Sequence, residues 1–152
     1  MLSVFLLSTL GFAQIQSFDS TYIEGLKKDI WGTYREIVKQ NLTLTEDQSK
    51  VFWPLFDEFV AAHNPIFENR VKNTEEYMMN YYGLDEETAK DLINKAVKLE
   101  QDRLKMKTEY INKMLEKLPA TVVGKIFRID ARVSTLVDLV RMSAIPMVRD
   151  EE

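Results

Sequence analysis

The chain contains no cysteine. A disulfide scaffold, a thiol nucleophile and a thiolate metal site are therefore excluded. There is a single histidine, so a zinc site would need carboxylates for every other ligand. A di-iron bundle needs two Glu-x-x-His motifs, and here Val60 stands three residues before His63. Only 5 Gly and 4 Pro occur in 152 residues, which leaves little room for the tight turns of an all-β protein. The glycines are scattered and form no phosphate-cradling loop. Basic residues are not in excess: 20 Lys and Arg face 24 Asp and Glu, so nucleic acid is not an expected partner. No acid–base–nucleophile constellation stands out, so the reading is of a protein that is not an enzyme and needs neither cofactor nor metal.

The one long apolar run is at the start, Leu2 to Phe12, with no charged side chain before Asp19. A membrane span needs roughly 20 such residues, whereas a signal-peptide core needs about 7–15. Gly11 and Ala13 place small residues at −3 and −1 of a cut between Ala13 and Gln14. The expected organisation is a signal peptide over 1–13, one helical domain over 14–148 and an acidic tail over 149–152. The competing reading is an apolar N-terminal strand or helix packed into the domain.

With 45% hydrophobic residues, the remainder is enough for one packed domain. Its periodicity is helical, and the fold class expected is all-α with four helices. From Tyr22 to Gln40 the apolar residues recur at steps of three and four, with Asn41 as the stop. Thr45 and Gln48 form a capping-box pattern for the second helix. Its stripe runs through Phe52, Leu55, Phe56, Phe59, Ile66, Phe67 and Val71, and Gly83 is the expected stop. Pro54 and Pro65 fall inside it, where a missing N–H and a ring clash predict kinks. Asp85 caps a third helix. Its expected apolar side carries Leu92, Ile93, Ala96, Val97, Leu99, Leu104, Ile111, Met114 and Leu115, and Leu118-Pro119 ends it. The fourth helix then follows Pro119. Charged residues are read as the solvated faces.

His63 lies on the apolar stripe and reads as a boundary histidine with one nitrogen satisfied. The aromatic residues carry two readings. Phe52, Trp53, Phe56, Phe59 and Phe67 at helical spacing suit a core. However, Phe52 and Trp53 are adjacent and cannot share a narrow face. With Tyr77, Met78, Met79, Tyr81 and Tyr82 they also suit an adaptable binding surface. The candidate contact residues are therefore Phe52, Trp53, Phe56, Tyr77, Met78, Met79, Tyr81 and Tyr82.

The run Leu44-Thr45-Glu46-Asp47-Gln48 resembles the L-T-x-x-Q signature of the Spy/CpxP family of periplasmic proteins. Phe52-Trp53-Pro54-Leu55-Phe56-Asp57-Glu58-Phe59 after it, and Leu118-Pro119 near the end, extend the resemblance over roughly Asp29 to Val148. The motif's Leu44, Thr45 and Gln48 are intact here, whereas later helix starts lack the Gln. The resemblance implies a long bent helical hairpin, often dimerising into a shallow cradle. It also implies ATP-independent binding of unfolded proteins in envelope stress. The alternative is a periplasmic accessory that regulates a membrane-bound signalling system through its sensor domain. Either way the expected molecule is exported, a homodimer, and not stably inserted in a membrane. Cell fractionation with intact-mass analysis is expected to find an envelope protein beginning at or near Gln14. A cytoplasmic species retaining Leu2 to Phe12 would contradict the leader.

Overall fold

The computed structural model of the chain describes residues 20–143. The proposed cut after Ala13 and the acidic tail over 149–152 lie outside the described residues. Among those described, four α-helices and no strand are present: α1 (Ser20–Asn41), α2 (Glu46–Asn80), α3 (Glu86–Leu115) and α4 (Ala120–Ser143). No helix among them is long and apolar enough to cross a membrane.

The helix boundaries follow local chemistry. Asn41 ends α1 by donating its side-chain amide to the Ile37 carbonyl, 2.8 Å away. The Thr45 hydroxyl accepts from the Gln48 N–H at 3.2 Å, and the Gln48 side chain accepts from the Thr45 N–H at 3.0 Å. Two orphan donors at the start of α2 are thus satisfied reciprocally. Glu46 and Asp47 add favourable charge at that end. Asp85 caps α3 by accepting from the Thr88 N–H at 2.8 Å.

The helical run stops at Gly83, as expected, but without a left-handed backbone there: no glycine among the described residues has positive φ. Instead α2 ends at Asn80 and tightens into a 3₁₀ turn over Tyr81–Gly83. Helix α3 stops at Leu115, before Leu118-Pro119. The Leu118 N–H turns back to the Met114 carbonyl, and the Pro119 carbonyl accepts from Val123 to open α4. A residue before proline avoids helical angles, so the turn falls earlier.

Helix α2 is continuous for 35 residues through Pro54 and Pro65. The two prolines are eleven residues apart and both exposed, so they share the solvent face. The carbonyls deprived of their N–H partners, those of Lys50 and Ala61, belong to exposed residues where water can bind them. That placement explains why neither proline breaks the helix.

The helices run up-down-up-down. Trp31 meets Asn64 and Arg35 meets Asp57, so α1 runs antiparallel to α2. Lys107 meets Asp130, while Glu100 and Asp138 share Arg70, so α4 runs antiparallel to α3. One core cluster fills the end of the α2–α3 hairpin nearest the α3–α4 turn. Tyr34, Val38 and Leu42 of α1, Phe52, Leu55, Phe56 and Phe59 of α2, Met106, Tyr110 and Met114 of α3, and Val123, Ile126 and Val133 of α4 build it. Towards the α2–α3 turn, the described side-chain bonds join those two helices alone. Lys95 reaches Glu76 at 3.0 Å, and the Asn73 amide reaches the Leu92 carbonyl at 3.4 Å.

Phe52 is fully buried (0% exposed), edge-on to Trp53 with ring centroids 4.9 Å apart and tilted against Phe56 at 5.8 Å. Phe52→Ala is expected to cost about 3–5 kcal/mol in chemical denaturation. Trp53→Ala should cost distinctly less, because Trp53 is only half-buried.

Candidate functional site

Two regions stand out: a buried polar knot among all four helices, and an apolar surface along the hairpin.

The knot centres on Asp130, which is 93% removed from solvent at 7% exposure. It sits four residues after Ile126 and three before Val133, on the buried face of α4. Its Oδ1 accepts from the Tyr34 hydroxyl of α1 at 3.2 Å. Its Oδ2 pairs with the Lys107 ammonium of α3. Burial first, and then the Asp130 charge, push the Tyr34 phenol pKa up, so it stays protonated and donates. A second charge group lies one helical layer away. Arg70 of α2 bonds Glu100 of α3 at 2.8 Å and Asp138 of α4 at 2.7 Å, and Arg103 joins Glu100 at 2.9 Å.

His63 lies between these groups. Its ring is 4.9 Å from Trp31, edge-on, and 5.8 Å from Phe59. Its Nδ1 is shut off from solvent and has no protein partner. A cavity of about 20 Å³ adjoins it, lined by Tyr34, Arg70, Arg103, Asp130 and Ser134 among others. That space accommodates one water molecule but no organic ligand. Burial drives the His63 pKa down to about 4, despite the opposing pull of Asp130. The ring is therefore neutral at pH 7. No group of three or more potential metal ligands occurs among the described residues.

The expected contact residues divide. Phe52 and Phe56 are core side chains and touch no partner while the bundle is closed, which corrects their assignment to a binding surface. Trp53 lies over Phe56 at 5.7 Å and is capped by the Arg35 guanidinium, 4.7 Å from its ring. The arginine resolves how adjacent Phe52 and Trp53 both pack: one points inward, and the other is roofed by a cation. Tyr77, Met78 and Tyr81 are half-buried at the hairpin turn, with Tyr77 and Tyr81 rings 6.0 Å apart. Met79 and Tyr82 are exposed, Tyr82 at 88%. Leu44 packs on the core, while Thr45 and Gln48 cap α2, so the L-T-x-x-Q run acts here as a helix start.

The sequence reading missed a second set. Ile93, Val97 and Leu104, taken as the inner side of α3, are 62%, 53% and 66% exposed. The inward positions are Leu92, Met106, Tyr110 and Met114. A groove of about 430 Å³ lies beside the exposed set, with Ala96, Val97, Leu99 and Leu104 on one wall and Arg70 and Asn73 on the other. Leu136 and Leu139 of α4 are exposed as well. The spacing of Met106, Tyr110 and Met114 at four-residue steps was the signal for the true inner face. Likewise, Asp130 on an apolar stripe was the signal for a buried carboxylate.

No family model, curated protein or solved structure matches the chain.

Tyr34→Phe removes one hydrogen bond to a charged acceptor and leaves the ring in place. It is expected to cost about 1.5–3 kcal/mol, read from urea denaturation at pH 7. A variant as stable as the parent would show that the Tyr34–Asp130 bond contributes nothing net.

Proposed function

We propose that this is an exported, ATP-independent binding protein for unfolded or partly folded polypeptides, acting as a chaperone in envelope stress as its resemblance to the Spy/CpxP family suggests. The observation that carries the reading is the exposed apolar set on the hairpin: Ile93, Val97 and Leu104 on α3, with Met79 and Tyr82 at the turn. Accessible apolar area framed by charge suits a segment that binds hydrophobic chain without precipitating. The frame consists of Lys95 with Glu76 and Asp91, Lys98 with Asp102, and Arg103 with Glu100. The absence of a nucleotide-binding motif from the sequence favours release by client folding or weak affinity rather than hydrolysis. Catalysis is not part of this reading, and self-association into a dimer is compatible with it.

The test is suppression of aggregation of a denatured substrate, at near-stoichiometric ratio and without ATP. Val97→Lys combined with Leu104→Lys alters two exposed positions, so stability should stay within about 0.5 kcal/mol of the parent. Suppression should fall several-fold. Unchanged suppression would remove the hairpin face from the account. Saturable binding of a single folded sensor domain, with no suppression at all, would favour the accessory role instead.

A further inference from the structure

The outer helices are held by few polar bonds, most of them to carboxylates. Three polar bonds tie α1 to the rest of the bundle across described side chains. Trp31 donates to Asn64 at 2.7 Å, Tyr34 donates to Asp130, and Arg35 pairs with Asp57. Two of the three end on carboxylates, and the third lies next to His63. Helix α4 is tied through Asp130 to Lys107 and through Asp138 to Arg70. Helices α2 and α3 share ion pairs too, Arg70 with Glu100 and Lys95 with Glu76, but they pack together more extensively than any other two of the described helices, with the Phe59 and Tyr110 rings 5.8 Å apart.

His63 sits where all four helices converge. The ionisable groups around it are Tyr34 on α1, Arg70 on its own helix, Arg103 on α3, and Asp130 and Asp138 on α4. These charges are already spent on one another. Carboxylates Asp130, Asp138 and Glu100 match cations Lys107, Arg70 and Arg103. A proton added to His63 therefore creates a buried cation between the Trp31 and Phe59 rings and beside the Arg70 and Arg103 guanidiniums, opposed only in part by Asp130, which Tyr34 and Lys107 already engage. Such a charge is accommodated by letting water in, and the elements that yield are α1 and α4, which pack less extensively on their neighbours than α2 and α3 do on each other.

We propose that the His63 junction is an acid-sensitive latch: its protonation loosens α1 and α4 from the α2–α3 hairpin and opens the Phe52–Phe56–Phe59 layer. That the opened layer then takes up polypeptide rests on the function proposed above. The sign follows from the two states. Closed, the imidazole resists protonation until about pH 4; open, it titrates near its ordinary 6.5. The open state therefore binds the extra proton between these values. The closed state keeps its full advantage above pH 6.5, loses it progressively as pH falls towards 4, and gains nothing further from this group below that. The closed-to-open ratio drops by on the order of a hundred-fold across the window.

Hydrogen exchange read by mass spectrometry on the full chain, corrected for intrinsic rates, tests the latch. From pH 7 to 4.5, amide protection in α1 and α4 should fall by at least ten-fold while the inner stretches of α2 and α3 stay protected. His63→Phe keeps an aromatic ring without the titration, and His63→Gln keeps a polar side chain in case phenylalanine fits badly. In both, the acid loss in α1 and α4 should be at least ten-fold smaller. An unchanged acid loss in the variants would overturn the latch, and so would equal loss in all four helices. Aggregation suppression measured alongside separates the two claims. Suppression that rises in acid for the parent alone supports regulated access to the aromatic layer. Opening with no gain in suppression overturns that regulation, while suppression retained at pH 7 through the α3 face would leave the proposed function standing.

Discussion

A carboxylate inside a helical bundle is the constraint on which the arrangement depends. Asp130 cannot be buried charged without partners, because desolvation alone costs several kcal/mol per ion. Its partners come from the two helices that flank α4: the Tyr34 hydroxyl from α1 and the Lys107 ammonium from α3. Meeting both fixes the rotation of α4 and its register along α3. The Arg70–Glu100–Asp138 group repeats the device further along the bundle and brings in α2. Apolar packing alone tolerates sliding of one helix past another, whereas two separated charge groups that must both be satisfied do not.

With register fixed, the aromatic side chains sort by depth. Phe52, Phe56 and Phe59 pack under α1 and are sealed by Tyr34, Val38 and the Arg35–Trp53 cap. From Leu104, level with the charge groups, α3 presents Val97 and Ile93 outward as the hairpin continues past them. The molecule thus separates a closed aromatic layer that holds the fold from an open aliphatic face suited to contact. The single histidine lies at the junction of the two charge groups, which makes that junction the place where pH acts on the bundle.

Much of this was legible in the amino-acid order. The number and order of the helices, the Thr45–Gln48 box and the Asp85 cap are local features, and local chemistry decides them. The side of α3 that faces inward was not legible, because that helix carries apolar residues on two faces. Ile93, Val97 and Leu104 mark one, and Leu92, Met106, Tyr110 and Met114 mark the other. Periodicity detects a stripe but does not say which of two stripes finds a partner. For Phe52 and Phe56 the spacing allowed both a core and a surface role, and packing with Tyr34 and Val38 of α1 in one buried cluster decides for the core. Charges were expected on solvated faces, and Asp130 and Arg70 break that rule because partners from other helices neutralise them. Those partners lie far away in sequence and close only in the fold.

The most direct test of the Asp130 knot is a double-mutant cycle across its ion pair, Asp130→Asn with Lys107→Met, by chemical denaturation at pH 7. Asp130→Asn keeps an oxygen for the Tyr34 hydroxyl, so the cycle isolates the charge pairing. Each single variant leaves one buried group without its counterpart, so the two together should cost less than the sum of the singles, with a coupling of about 1–3 kcal/mol. Costs that add to within about 0.5 kcal/mol would show that the two side chains are energetically independent, and that the register of α4 is set by apolar packing instead.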